Sequence, residues 1–306
     1  MATPVAPPVD ADNGATPASL ITRDGQIQWG GLLLGPGTPY EIDRTGLTGW
    51  EDLPDADTTD ADRPTAHGAW TGLQYARPRR FGGQIWLLPA PGAAPADTLR
   101  TLRRALALSD TEQWLAVRLA GETLAVRARV TQRVIPADRN LVAQGVGRVS
   151  VQWVATDPRR YAVDAQVRST AAPLPAVGLR WPVAWPLDWG TPTSSGDLRI
   201  VNDGSAPSHP VITFRGPCSN PLLTYRGGTR RLRYLIDLGV DDELAVDTSE
   251  GTVTLNGTAS RRHTAAPDSS PEELFTLGPG VNELSYRPRS SEPESTVSVW
   301  WRSAEW

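Results

Sequence analysis

Lysine is missing from this 306-residue chain; all 30 of its basic residues are arginine. No Gly-x-x-x-x-Gly-Lys loop can therefore cradle a nucleotide phosphate. The bias itself reads as the codon usage of a GC-rich genome. A single cysteine, Cys218, excludes an internal disulfide. It follows Gly216-Pro217 at a strand end, where a small buried thiol is expected. The three histidines, His67, His209 and His263, sit in loop-like contexts. With no His-x-x-x-His pair and no cysteine cluster, no metal ligands are assigned. Gly-x-Ser-x-Gly is absent too, so there is no nucleophile elbow. No run approaches 18 apolar residues, so no membrane insertion is expected. The first eight residues lack a basic region and an apolar stretch, so no signal peptide is expected. A net charge of −4 calls for neither nucleic acid nor an acidic membrane. No catalytic, metal or cofactor residues are assigned. A glycan hydrolase with two carboxylates stays as an alternative, because such pairs form across a fold.

What is present is alternation. Residues 1–19, rich in Pro, Ala and Asp, have the composition of a disordered or draped arm. Gln26–Trp29, Leu32–Leu34 and Tyr40–Asp43 read as short strands. From Glu51 to Gly68 the pattern disappears into a long acidic loop containing Asp55, Asp57 and Asp60. Such loops are either solvated or held by a partner; the EF-hand order is absent. Arg77-Pro78-Arg79-Arg80 then precedes an apolar strand, with Gly82-Gly83 suited to a bulge or turn. One amphipathic helix is predicted from Asp97, as cap, to near Leu108, with Leu99, Leu102 and Leu106 on its buried face. Strands follow at Trp114–Leu119, Thr123–Val130 and Val146–Val154; Arg127, Arg129 and Arg133 give one basic face. Residues 168–199 read as a linker in which Trp181, Trp185 and Trp189 recur every fourth residue among prolines that forbid a helix. They suit either a strap on their own domains or a subunit boundary.

The last hundred residues are an antiparallel sandwich by pattern. They contain Asn202-Asp203-Gly204, the strand Pro210-Val211-Ile212-Thr213-Phe214-Arg215-Gly216, a hairpin of Glu243–Asp247 with Thr252–Leu255, and Phe275-Thr276-Leu277-Gly278-Pro279-Gly280-Val281-Asn282. In the final strand Val297, Val299 and Trp301 share one face; Ser298, Trp300 and Arg302 share the other. These phrases, with Thr156-Asp157-Pro158-Arg159-Arg160-Tyr161 and the Trp/Pro connector, resemble the distal tail protein (Dit) family of long-tailed phages.

The resemblance implies a mainly β chain of two sandwich or barrel-like domains. The N-terminal one (20–167) carries a single packed α-helix; the C-terminal one (200–306) is galectin-like. It further implies a homohexameric hub ring at the distal tip of the virion's tail, assembled in the host cytoplasm. The ring would join the tail tube protein to the tail-tip protein and carry receptor-binding proteins, while the tape measure protein and DNA pass through. Under this reading Arg77, Arg79, Arg80, Asp55, Asp57, Asp60, Trp181, Trp185 and Trp189 are candidate interface residues. Trp300 is a candidate exposed aromatic for a partner or a glycan. The alternative is a carbohydrate-binding adhesin that contacts host glycans.

Overall fold

Alternation in the first half of the chain becomes a sheet that curls on itself. The computed structural model describes residues 16–92, 94–173, 194–292 and 294–306. Among the described residues two units are distinguished, one running to Val163 and including Trp306, the other Asp164–Glu305. In the first, β1 (Ile27–Trp29), β2 (Leu32–Leu34) and β3 (Tyr40–Thr48) are followed by an arm carrying β4 (Ala56–Thr58), β5 (Ala61–Asp62), β6 (Ala69–Trp70) and β7 (Gln74–Ala76). Then come β8 (Arg79–Leu87), α1 (Pro95–Ala105), β9 (Gln113–Leu119), β10 (Glu122–Val134), α2 (Arg139–Gln144), β11 (Gly147–Ala155) and β12 (Arg160–Ala162). The main sheet runs β2-β1-β9-β10-β11-β8-β3. β10 turns the layer, pairing with β9 over Glu122–Ala128 and with β11 over Arg129–Val134. At the ends, the Gly35 amide donates to the Tyr40 carbonyl at 2.7 Å, so β2 runs directly into β3.

Inside, Phe81 stacks on Trp153 with centroids 5.8 Å apart, and Trp29 and Trp50 lean in at 6.0 and 5.4 Å. Helix α1 covers this core with Leu102 and Leu106 buried and Leu99 packed beside them, as the period predicts. Trp29 Nε1 donates to the Ala105 carbonyl at 2.8 Å. The predicted cap does not form. Ala94 is the N-cap without a side-chain bond, and Pro95 starts the first turn, where its missing donor is no loss. Asp97 lies inside that turn and bonds Arg100 at 2.6 Å. The helix also stops at Ala105, short of Leu108.

A second helix corrects the expectation of one. In α2, Asp138 accepts from the Leu141 amide at 2.8 Å, and Gly145 closes the end at φ 69°. Residues 16–19, read as part of a draped arm, are held to the sheet: the Thr16 carbonyl accepts from Gln28 Nε2 at 3.0 Å. Residues 1–15 lie outside the described residues.

Two further expectations change. Gly82-Gly83 form neither bulge nor turn; they lie in the middle of β8. A Cβ on Gly82 would meet the Val151 carbonyl at 2.5 Å, and one on Gly83 the Gly46 carbonyl at 2.8 Å. The glycines let both neighbouring strands approach, and the irregularity falls in β3, between Ile42 and Leu47. Arg133 leaves the basic face. A bulge between Val130 and Gln132 flips the remaining register, so Arg133 pairs with Val151 of the core face. Its Nη1 donates to the Arg103 and Leu106 carbonyls at 2.7 and 2.9 Å, satisfying the orphan end of α1. Arg133→Ala should therefore destabilise the first domain by about 1 kcal/mol, read from its denaturation midpoint. An unchanged midpoint would show that water serves those carbonyls equally well.

The second unit begins within the expected linker region. β13 (Gln166–Ala171) pairs with the strand Thr296–Trp301, so residues 168–171 are strand. β14 (Asp197–Asn202) also lies ahead of residue 200. Next come β15 (Val211–Arg215), β16 (Cys218–Ser219), β17 (Leu222–Tyr225), β18 (Arg231–Arg233), β19 (Asp237–Leu238), β20 (Glu243–Asp247), β21 (Thr252–Leu255) and β22 (Ala259–Ser260). Then follow β23 (Gly280–Tyr286), β24 (Ser290–Ser291) and β25 (Thr296–Trp301). A six-stranded sheet, β13-β25-β15-β20-β21-β22, shares one core with a four-stranded sheet, β14-β23-β17-β18. Strands β19-β16-β24 form a small third sheet.

The phrases that carried the family resemblance are structural here. Asn202, fully buried, donates to the carbonyls of Ala206 and Leu277 at 2.8 and 3.1 Å and accepts from the Gly204 and Ala304 amides. At Gly204 any Cβ would collide with the Ala304 carbonyl at 1.9 Å. Asn282 likewise ties the turn before β23, donating to the Gly278 and Gly280 carbonyls at 2.8 and 2.9 Å. Cys218 is a buried thiol beside the Tyr286 hydroxyl.

Candidate interaction surfaces

β8 sorts the arginine cluster by parity. Arg79 has the parity of Phe81, Ile85 and Leu87, and it points into the domain with 1% exposure. Its Nη1 donates to the Gly49, Trp50 and Asp52 carbonyls, and its Nε to that of Pro158 at 2.8 Å. Burial, with Arg160 nearby, pushes its pKa down to about 10, which leaves it charged at neutral pH. Arg79 is therefore not an interface residue; it fastens the Gly49–Asp52 turn to the sheet. Arg160, also buried, pairs with Glu51 at 2.8 Å and lies over the Trp50 ring.

Arg80 points the other way and is exposed. Its cross-strand neighbour is Val154, and Val154's other neighbour is Arg129. Two arginines thus flank one valine, their backbones about 10 Å apart across two strand spacings. Arg127, opposite Trp114, continues the patch on the next row. Neither Arg80 nor Arg129 makes an ion pair among the described residues.

The acidic stretch is ordered as an arm. β4 pairs with β7 and β5 with β6. Arg77 bonds Asp57 across the first pair, with Nε to Oδ1 at 2.8 Å, and holds that carboxyl below its ordinary range. Arg77, a candidate interface residue by sequence, thus meets an acid of its own arm. Asp60 accepts from the Gly72 amide at 2.6 Å, and Asp55 is exposed at the arm's base.

At the opposite edge of the basic face, Asp43 accepts from Trp86 Nε1 and from the Thr45 hydroxyl, each at 2.8 Å. The Trp86 bond, then Thr45, with Arg148 adding attraction, lowers its pKa to about 2. A carboxyl depressed in the fold adds stability above its unfolded pKa, and loses it as pH falls through the folded value. Between pH 4 and pH 2 the melting temperature should fall less steeply in Asp43→Asn than in the parent. Parallel curves would refute the assignment.

In the second domain, Val297, Val299 and Trp301 are buried as the alternation predicts. Trp300 lies on the other face, half-buried between Val167 and Val211. Trp181, Trp185 and Trp189 lie outside the described residues. Among the described residues no group of three or more His, Cys, Asp or Glu could hold a metal ion, and no helix is long and apolar enough to cross a membrane.

Residues 203–304 match a family model described as the C-terminal domain of a siphovirus-type tail component. No curated protein matches by sequence. In structure the chain is similar to SPP1 Dit (gp 19.1), described as a paradigm of the hub adsorption apparatus in Gram-positive-infecting phages. The TM-score is 0.60 at 11% identity, covering 90% of this chain and 97% of that one. It is also similar to a chain of the phage P2 baseplate in its activated conformation with Ca, with a TM-score of 0.47 at 8% identity, covering 86% and 91%.

Proposed function

We propose, from a chain whose second domain belongs to the siphovirus-type tail components and whose fold is that of a phage distal tail (Dit) protein, that it forms the hub ring at the distal end of a phage tail. The supporting observation is the breadth of the likeness: nine-tenths of this chain follows the fold of a hub protein, across both domains. The ring is a homohexamer that joins the tail tube to the tail-tip protein. Tape measure and DNA pass through it, and receptor-binding proteins attach at its rim. Its role is structural rather than catalytic. The motif residues support this, since Asn202, Gly204 and Asn282 are consumed in holding turns. Native mass measurement and particle imaging test the reading. Six-fold rings are expected; a stable monomer in assembled tails, or a two-fold dimer, would overturn it.

Trp300 bears on the carbohydrate alternative. Valines flank it on both sides of its row, and it is well under half exposed. A sugar site needs a free ring face with convergent polar groups, so this surface suits a protein partner better. Loss of host-glycan binding in Trp300→Ala, with tails still assembling, would reverse that assignment.

A further inference from the structure

On the four-stranded sheet of the second domain, arginine gathers on the outer face. Acidic residues outnumber arginines between Asp164 and Glu305 as a whole, but not here. Leu198 and Ile200 of β14, Leu284 of β23 and Leu232 of β18 point into the core, so alternation turns their neighbours outward. One outer row runs Arg199–Glu283–Arg226: Arg199 lies opposite Glu283 in the register, and the Glu283 carbonyl accepts from the Arg226 amide at 2.8 Å. Arg231 and Arg233 stand on the edge strand, each 3.4 Å from Asp268, which they share. Arg226 and Arg287 share Asp197 in the same way, at 3.8 and 2.8 Å. Five arginines thus meet three carboxylates, and one carboxylate cannot fill the donors of two guanidiniums. Arg199 is exposed and makes no side-chain hydrogen bond or ion pair among the described residues. Arg226 is 57% exposed. The next row is apolar: Val281, half-exposed, lies opposite Val201.

We propose that this face docks a protein segment rich in carboxylates and carrying an apolar side chain. The surplus of arginine selects an anionic partner, and the guanidinium fork suits carboxylates in pairs of bonds. Asp197 and Glu283 lie among the arginines, so a phosphate polymer, charged at every unit, would meet them at close range. A protein segment can set carboxylates on Arg199, Arg226 and the Arg231–Arg233 pair and leave neutral residues opposite the acids. The Val201–Val281 row takes the apolar side chain, which gives the contact the dry patch that protein interfaces have beside their polar rim. This inference goes beyond the hub reading and needs no ring, since it stands on one sheet of one domain.

The test uses the full chain with three labelled probes of matched charge: a glutamate–tyrosine copolymer, polyglutamate and inorganic polyphosphate. Binding is read by fluorescence anisotropy at low and high salt. The wild type should bind the copolymer best, with affinity falling as salt rises. Arg199→Glu with Arg226→Glu should weaken that binding at least about tenfold. Arg199→Glu alone removes no native contact; it should weaken binding at least about threefold, and it supplies the decision if the double variant fails to fold. Val281→Ser should weaken binding of the copolymer and leave that of polyglutamate unchanged. Arg215→Glu, exposed on the other sheet, should change neither. No binding of the copolymer, or equal binding in Arg199→Glu, would overturn the proposal and leave the hub reading, which is tested by six-fold symmetry, standing. Tighter binding of polyphosphate, lost in the same variants, would assign the face to a phosphate polymer instead. Self-association that Arg199→Glu abolishes would assign it to a second copy.

Discussion

Trp301→Ala is expected to destabilise the second domain by about 3–5 kcal/mol, the range for a large aromatic removed from a packed core. Trp301 is 4% exposed, and its Nε1 donates to the Val201 carbonyl at 3.0 Å, across to the opposite sheet. Truncation leaves a cavity between the sheets and strands that carbonyl. Trp300, one residue earlier, is half-buried on the outer face and should lose far less when truncated. Its Val167 and Val211 neighbours can close over part of the gap. Thermal or denaturant melts of the two alanine variants decide it. If Trp300→Ala melts the domain and Trp301→Ala does not, the strand register is off by one residue.

The second large effect is expected at Arg79. Arg79→Leu keeps a side chain of useful volume but removes every donor from the Gly49, Trp50, Asp52 and Pro158 carbonyls. Buried acceptors left unserved cost about 1–3 kcal/mol each. Some will find water once the turn loosens, so about 3 kcal/mol or more is expected for the first domain. Arg80→Ala, one residue along on the exposed face, should stay within about 0.5 kcal/mol. Arg79→Lys should fall between, since a point charge cannot reach four carbonyls as a planar fork does. Equal melting midpoints for Arg79→Leu and Arg80→Ala would show that the turn is held by other contacts.

Several features were legible because they are local. The hairpin of β20 and β21 joins Asp247 to Thr252 through four residues, as its spacing predicts. α2 was equally legible, with Asp138 as cap and Gly145 as stop, but its six residues carry too little hydrophobic period to stand out. Arg79 was legible as well. Its parity with Phe81 and Ile85 places it inside, yet four residues with three arginines read as one surface cluster when charge is weighed before period.

Sequence by itself determined the β class, the buried face of α1, the two sides of β25 and the family phrases that hold the second domain's turns. Each depends on side chains a few positions apart, where a period of 2 or 3.6 residues decides what is buried. Tertiary structure alone decided the rest. One unpaired residue in β10 sent Arg133 from the basic face to the end of α1, and no local pattern announces a bulge. The Arg80–Val154–Arg129 row assembles three strands whose residues lie up to 74 positions apart (154 − 80). The arm's strands carry no alternation because both their faces are exposed. Burial writes the hydrophobic period into a sequence, and a ribbon that buries nothing within its own chain leaves no such record.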